Sequence, residues 1–309
     1  MKNCKKHFIV ALIVLLMGQF LAPKQASAQV LEVGGSVGLS YYMGDINPNV
    51  PFMKSNLGWG ALVRYYDGTR WAFRLAYSNL QLNCSDKASS YRPERGLSFN
   101  TNVHDIAFIA EFNFFDYFTG SKRNGLSPYI FGGISFLMFD PKADDGTQLC
   151  NVLTDVSDYN DDGTNKIADG ENKYGKSSVS IPFGIGIKCS VSNRIGVALE
   201  WRWDYSFTDW LDDCHGYYPL YSPEKVMDAN GQWTGNYATP TYVQYADPTG
   251  FASEEDPAAH LPFNDKKYIQ RGNSADNDWY GYLNFSITYK FNLPNGDDCN
   301  KKERYKNYD

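Results

Sequence analysis

The chain has 309 residues, 43% hydrophobic, 16% aromatic and 21% charged, with a formal net charge of −6 and six cysteines. The acid excess argues against nucleic acid as a partner, because phosphate binding calls for a basic face. A mean hydropathy of −0.46, with no apolar run near the roughly 20 residues of a spanning helix, excludes a helical membrane protein but not a membrane barrel, whose strands alternate.

The chain starts with Lys2, Lys5 and Lys6, an apolar run from Phe8 to Ala22, and the small-residue site Ala26-Ser27-Ala28. That order marks residues 1–28 as a secretory signal peptide, cleaved before Gln29. Cys4 precedes the apolar run and so is no lipoprotein acceptor. Removing the leader takes away four lysines and no acid, making the exported chain four units more negative. Cys84, Cys150, Cys189, Cys214 and Cys299 stay, at spacings that match no metal pattern, and an odd count leaves at least one thiol unpaired.

Period-two alternation then predicts eight strands. Val30 to Met43 sets Leu31, Val33, Val37, Leu39 and Tyr41 on one face. Leu57–Tyr66 and Trp71–Leu80 follow as a hairpin around Asp67-Gly68. Val103–Phe114 is fourth, and Pro128–Phe139 fifth, with apolar residues on both faces so that its sides are unassigned. Val179–Cys189 contains Pro182, awkward because it donates no ladder hydrogen bond. Ile195–Tyr205 and Trp279–Phe291 complete the set.

Long links at 44–56, 81–102, 140–178 and 206–278 alternate strictly with short ones at 67–70, 115–127 and 190–194. An even number of strands joined in this way predicts an all-β fold, an eight-stranded antiparallel up-and-down transmembrane β-barrel with long extracellular loops. The barrel domain is 29–291, a periplasmic tail 292–309, and the expected location the cell outer membrane, with its lipid as a partner. A secreted sandwich would have no reason to sort its loops by length.

If the apolar faces meet lipid, the interior receives Glu32, Arg64, Arg74, Asp105, Glu111, Lys188, Glu200, Arg202, Asp204 and Lys290. Five acids and five bases in so narrow a lumen predict a paired network and a filled barrel, not a pore.

The stretch from Trp201 to His215 crowds Asp204, Asp209, Asp212 and Asp213 against Cys214 and His215, as a metal site or acid/base pair would. With no second ligand cluster, the plainer reading is strand seven emerging at the cell surface, its aspartates capping the last loop. No catalytic residue is assigned and no enzyme is expected. Asp158, Asn160, Asp162, Thr164 and Asp169 follow the calcium-loop template, with Gly163 at its sixth position. Asn165 replaces the usual apolar residue, Asp169 replaces glutamate, and flanking helices are not evident, so an acidic surface loop is the alternative. No other cofactor is expected. Cys84, Cys150 and Cys214 group at the surface and Cys189 and Cys299 at the periplasmic end, with connectivity open. The tail containing Lys301-Lys302-Glu303-Arg304 is either a solvated end or a docking peptide.

Four stretches resemble the PorG-like outer-membrane proteins of the type IX secretion system. They are Tyr41-Tyr42-Met43-Gly44-Asp45-Ile46-Asn47-Pro48, Ile181-Pro182-Phe183-Gly184, Phe207-Thr208-Asp209-Trp210-Leu211-Asp212-Asp213, and Arg271-Gly272-Asn273 through Asp278-Trp279-Tyr280. The resemblance implies an integral outer-membrane component of a trans-envelope protein secretion machine, associated with periplasmic ring proteins or lipoproteins. On that reading the turn at 115–127, with Lys122 and Arg123, and the tail would carry the contact. The other reading is a surface-recognition or adhesin-like barrel binding a ligand or calcium through 140–178 and 206–278.

Overall fold

A computed structural model describes residues 30–156, 158–159, 165–166, 174–219, 224–238, 240–250 and 269–292. The signal peptide, most of the tail and Cys299 lie outside them. Eight strands form one closed antiparallel barrel: β1 (Val30–Met43), β2 (Asn56–Asp67), β3 (Trp71–Ser85), β4 (Ser98–Asn113), β5 (Leu126–Met138), β6 (Ser177–Ser190), β7 (Ile195–Ser206) and β8 (Trp279–Asn292). Each pairs with its neighbours in sequence, and β8 closes on β1 from Val30–Asn292 to Met43–Trp279. Gly68, at φ 88°, turns the β2–β3 hairpin where a side chain would be strained.

Apolar side chains cover the outer wall. Leu57 and Ile134 keep 67% and 64% of their surface exposed, with Val33, Val63, Leu75, Phe108, Ile185, Leu199 and Ile287 among the others. Monomeric soluble proteins do not leave so large a continuous apolar surface to water, and a band of this kind is what a transmembrane barrel turns to hydrocarbon. In β5, Ile130, Ile134 and Phe136 face outward while Tyr129, Phe131 and Leu137 are buried inside. The strand reads as apolar on both faces because its inner side belongs to the lumen core. Pro182 sits where the β5–β6 ladder is interrupted: Gly132–Phe183 and Ser135–Ser180 pair, and the two positions between do not.

Two boundaries differ by more than two residues from those expected. β3 runs to Ser85 and β4 starts at Ser98, so the second loop is 86–97 and not 81–102. The added residues keep the alternation with its polarity reversed. Leu80, Leu82, Phe99 and Val103 turn inward, whereas Gln81, Asn83, Asn100 and Asn102 turn outward. Outside the membrane a strand must present polar groups to water, and this hairpin stands above the apolar band. Its apolar inner side, with Tyr42, Leu137, Tyr280 and Tyr282, packs against Ile46, Leu97, Leu149 and Leu211 of the loops. Each buried leucine contributes about 2 kcal/mol, so the loops form a core that caps the barrel. The second correction concerns Tyr41, expected on the lipid face: it has no exposure, being covered from outside by Phe52 and Trp201.

Candidate functional site

The lumen is filled at three levels. Nearest the short turns, Arg64 lies 3.1 Å from Glu32, 3.0 Å from Glu111 and 3.5 Å from Glu200. Arg74 pairs with Glu200 and, at 3.3 Å, with Glu111, and Lys188 reaches Glu111 at 2.7 Å. These six groups are three acids and three bases, so the cluster is neutral. Lys188 also stands 4.0 Å over the Tyr129 ring. Higher up, Arg202 binds Asp105 at 2.8 Å and Asp204 at 2.7 Å. Lys290, the register partner of Glu32 across the β1–β8 seam, donates to the Thr119 carbonyl and not to a carboxylate of either cluster. All ten interior residues expected from the alternation are therefore inside, nine of them in two ion-pair clusters.

The β4–β5 turn closes the lower mouth. Tyr117 and Thr119 are buried there, and Thr119 donates to Glu32. Lys122 and Arg123 of the same turn are exposed.

At the upper mouth, sequence-distant motif residues converge on Tyr42. Its hydroxyl lies 2.5 Å from Asp212 Oδ2 and 2.7 Å from Asp278 Oδ1. The second oxygen of each acid accepts a backbone N–H, from Cys214 and Leu211 respectively, both at 2.9 Å. A phenol has one proton to give, so two charged carboxylates cannot both be satisfied around it, and one of the acids carries a proton. Burial first, then neighbouring carboxylates, push Asp212 and Asp278 well above the usual range. A Cβ on Gly44 would fall within 2.0 Å of the Tyr42 hydroxyl and 2.2 Å of Asp278, so only glycine fits there. Asn47 ties the first loop to the same strand end, donating to the Tyr42 carbonyl at 3.0 Å. Thr208 accepts from the Asp278 N–H at 3.0 Å. Pro48 is half-buried and makes no polar contact with this centre.

Around it, two arginines staple the loops. Arg95 holds Asp86 at 2.5 Å and donates to the carbonyls of Arg271 at 2.6 Å and Asp45 at 3.0 Å. Arg271 donates to the Asp213 carbonyl and lies 3.5 Å from Asp155, which accepts from the His215 and Gly216 N–H groups. Asp45 accepts from the Asn273 N–H at 2.6 Å. Asp213 takes a left-handed φ of 61° and accepts from Tyr174 at 2.8 Å. Its carboxyl is raised by burial to about 6. Asp209 lies 2.8 Å from His215 Nδ1. Burial and the Asp212 charge push Asp209 up to about 10, and burial lowers His215, so the two form a neutral hydrogen-bonded pair at pH 7.

The Trp201–His215 stretch thus divides. Asp204 belongs to the lumen, and Asp209, Asp212 and Asp213 belong to this collar. Among the described residues no set of His, Cys, Asp or Glu is arranged to hold a metal ion. Cys84, Cys150 and Cys214 are buried free thiols packed in the collar, and Cys189 is free near the lower end. Of the calcium-loop residues, Asp158–Tyr159 pair with Asn165–Lys166 as a short hairpin, and Asn160, Asp162, Thr164 and Asp169 lie outside the described residues. Nothing in the sequence marks Asp86, Arg95 and Asp155, because each sits between strands in a segment with no periodicity.

Residues 6–232 match the family described as Domain of unknown function (DUF6089). The chain belongs to this family. No curated protein matches it. The DUF6089 chain is similar in structure to a major outer membrane protein of Thermus thermophilus, with 12% identity, 85% of this chain and 100% of that one covered, and a TM-score of 0.37. It is similar to neisserial surface protein A, with 9% identity, 86% and 98% covered, and a TM-score of 0.36. It is also similar to the N-terminal β-barrel domain of Pseudomonas aeruginosa OprF, with 9% identity, 86% and 100% covered, and a TM-score of 0.35.

Proposed function

We propose that this DUF6089 chain is an integral outer-membrane structural component that anchors a periplasmic assembly, in a trans-envelope protein secretion machine of the type IX kind. The observation that carries the reading is the filled lumen: ion pairs, an apolar core and the folded β4–β5 turn occupy it from mouth to mouth. A barrel built in this way offers its faces, not a passage. On the periplasmic face the turn is held rigidly from inside by Thr119, Glu32 and Lys290 while it exposes Lys122 and Arg123. A preorganised basic turn suits an acidic or polar periplasmic partner. The secretion role itself rests on the PorG-like motifs, three of which supply the collar residues around Tyr42 while the fourth, Ile181–Gly184, lies within β6.

The test is a mild-detergent pull-down from outer membranes through a C-terminal affinity tag, with mass spectrometry of what co-purifies. Stoichiometric recovery of periplasmic ring proteins or lipoproteins, reduced at least tenfold by Lys122→Glu/Arg123→Glu, is the expected result. A barrel that comes down alone, in a detergent that keeps other envelope assemblies intact, would overturn the anchor role.

A further inference from the structure

The outward faces of β3 and β4 change character where they leave the apolar band. Phe73, Leu75, Ile106 and Phe108 occupy the lower part, and above them the cross-strand pairs are Asn79–His104, Gln81–Asn102 and Asn83–Asn100. Tyr77 Oη is hydrogen-bonded to His104 Nδ1 at 2.9 Å across that boundary. Beside this amide surface, β5 leaves the ladder. After His104–Met138 the next pair in register is Asn100–Lys142, with the N–H and C=O of Asn100 both bonded to Lys142 at 2.9 Å. Hydrogen-bonding sides repeat every two residues, so the backbone of Asn102 turns toward the same opening, opposite Asp140. Phe139 is drawn into the loop core and the Asp140 N–H bonds Thr101 Oγ1 at 3.1 Å, which keeps the chain away. The result is an open groove of about 840 Å³ lined by Gln81, Asn100, Asn102, Asp140, Lys142 and Lys176. Asp140 holds the two cations at its edge, Lys176 at 2.6 Å and Lys142 at 3.6 Å.

We propose that this groove is a saccharide site, taking a hydroxyl-rich sugar that bears a phosphate or carboxylate. A sugar hydroxyl both donates and accepts, and a carboxamide offers both functions side by side, so a run of amides matches a run of hydroxyls. Asp140, engaged by Lys176 and Gln148, fixes the groove's edge, and the two lysines meet the anionic substituent. The height of the groove agrees: Met138 in its floor is the last outward residue of β5, immediately above Phe136 of the apolar band. A ligand there sits at the level of lipid headgroups. Protein interfaces use aromatic anchors in desolvated pockets, whereas of the described rings lining this groove Phe139 is buried and His104 is bonded to Tyr77 and Asn79. The sugar can come from an outer-leaflet glycolipid or from a free glycan, and the chemistry is the same.

The experiment uses the full chain folded in detergent, with three probes: rough-type lipopolysaccharide, its delipidated core oligosaccharide, and phosphatidylglycerol. Affinities are measured for the wild type, Asn100→Ala/Asn102→Ala, Lys142→Gln/Lys176→Gln, and Asn49→Ala on the first loop as control. The expected result is lipopolysaccharide binding at least tenfold weaker in both double variants, wild-type binding in Asn49→Ala, and unchanged melting temperatures. Binding of lipopolysaccharide alone identifies a lipid headgroup, and equal binding of the oligosaccharide a free glycan. The proposal is overturned if a folded double variant binds as the wild type does, or if phosphatidylglycerol binds as well as lipopolysaccharide. Should the asparagine variant fail to fold, the lysine variant, whose changes lie on exposed side chains, decides alone.

Discussion

Trp201 Nε1 donates to the Tyr41 hydroxyl at 2.9 Å on the outside of the barrel, and Phe52 of the first loop covers both rings. Tyr41 lies across Gly281, its register partner in β8, where a Cβ would meet its ring at 2.1 Å. Phe52 adopts a left-handed φ of 62°, a conformation that costs a non-glycine residue about 1–3 kcal/mol. A polar bond is thereby sheltered at a surface where lipid offers no replacement partner. Tyr41→Phe leaves the indole N–H unpaired and is expected to destabilise the barrel by about 1–3 kcal/mol. Urea unfolding in lipid vesicles reads this directly, and an unchanged free energy would show that the bond contributes nothing.

At Tyr42 the proton count gives a sharper expectation. Asparagine at 212 keeps an acceptor for the Cys214 N–H and supplies a donor to the Tyr42 oxygen, freeing the phenolic proton for Asp278. Asp212→Asn is therefore expected to be neutral or stabilising at pH 8, whereas Asp212→Ala orphans the Cys214 N–H and costs about 1–3 kcal/mol. Thermal melts of the two variants side by side separate these cases. Equal destabilisation by both would rule out the shared proton.

The collar should loosen with alkali. Asp209 stands near 10 in the folded chain against an ordinary 3.8, so its contribution is complete below 3.8 and is lost as pH rises toward 10. Asp213 loses its part between 3.8 and about 6. His215, lowered from 6.5, acts in the opposite sense only below 6.5. Above pH 6.5 the carboxyls decide, and amide exchange at Leu211 and Cys214, corrected for intrinsic rate, is expected to accelerate from pH 7 to pH 9. Greater protection at pH 9 would contradict this assignment.

Arg64 touches three acids of the neutral six-group cluster. Arg64→Met leaves Glu32, Glu111 and Glu200 with two cations and is expected to cost about 3–5 kcal/mol, as removal of one member of a buried charge set does. Adding Glu111→Gln restores the balance and should recover part of that loss. Unfolding free energies of the single and double variants test the coupling. Strict additivity would mean that Arg64 and Glu111 do not act as a pair.

How much could be read in advance depends on which physical signal each residue carries. Alternation alone places Glu32, Arg64 and Glu200 inside, since a strand in lipid has no other use for a charge. Gln81 and Asn100 look like loop residues in the sequence because the same alternation continues above the membrane with its polarity reversed. Tyr41 and Tyr42, adjacent and both buried, defeat a one-face rule, because the first loop folds down over the outer wall and covers Tyr41 there. Asp155 and Arg271 meet only because loops three and four fold against each other.

By itself, then, the sequence determined the strand number, the side on which each long loop emerges, the lipid-facing band and the membership of the interior network. These follow from periodicity of two against a slab of hydrocarbon, a constraint that acts on every strand independently. Tertiary structure alone decided the partners of each buried charge, the apolar core beneath the loops, the single proton shared at Tyr42 and the groove beside Asn102. Those depend on distances between residues remote in the chain, which no local pattern encodes.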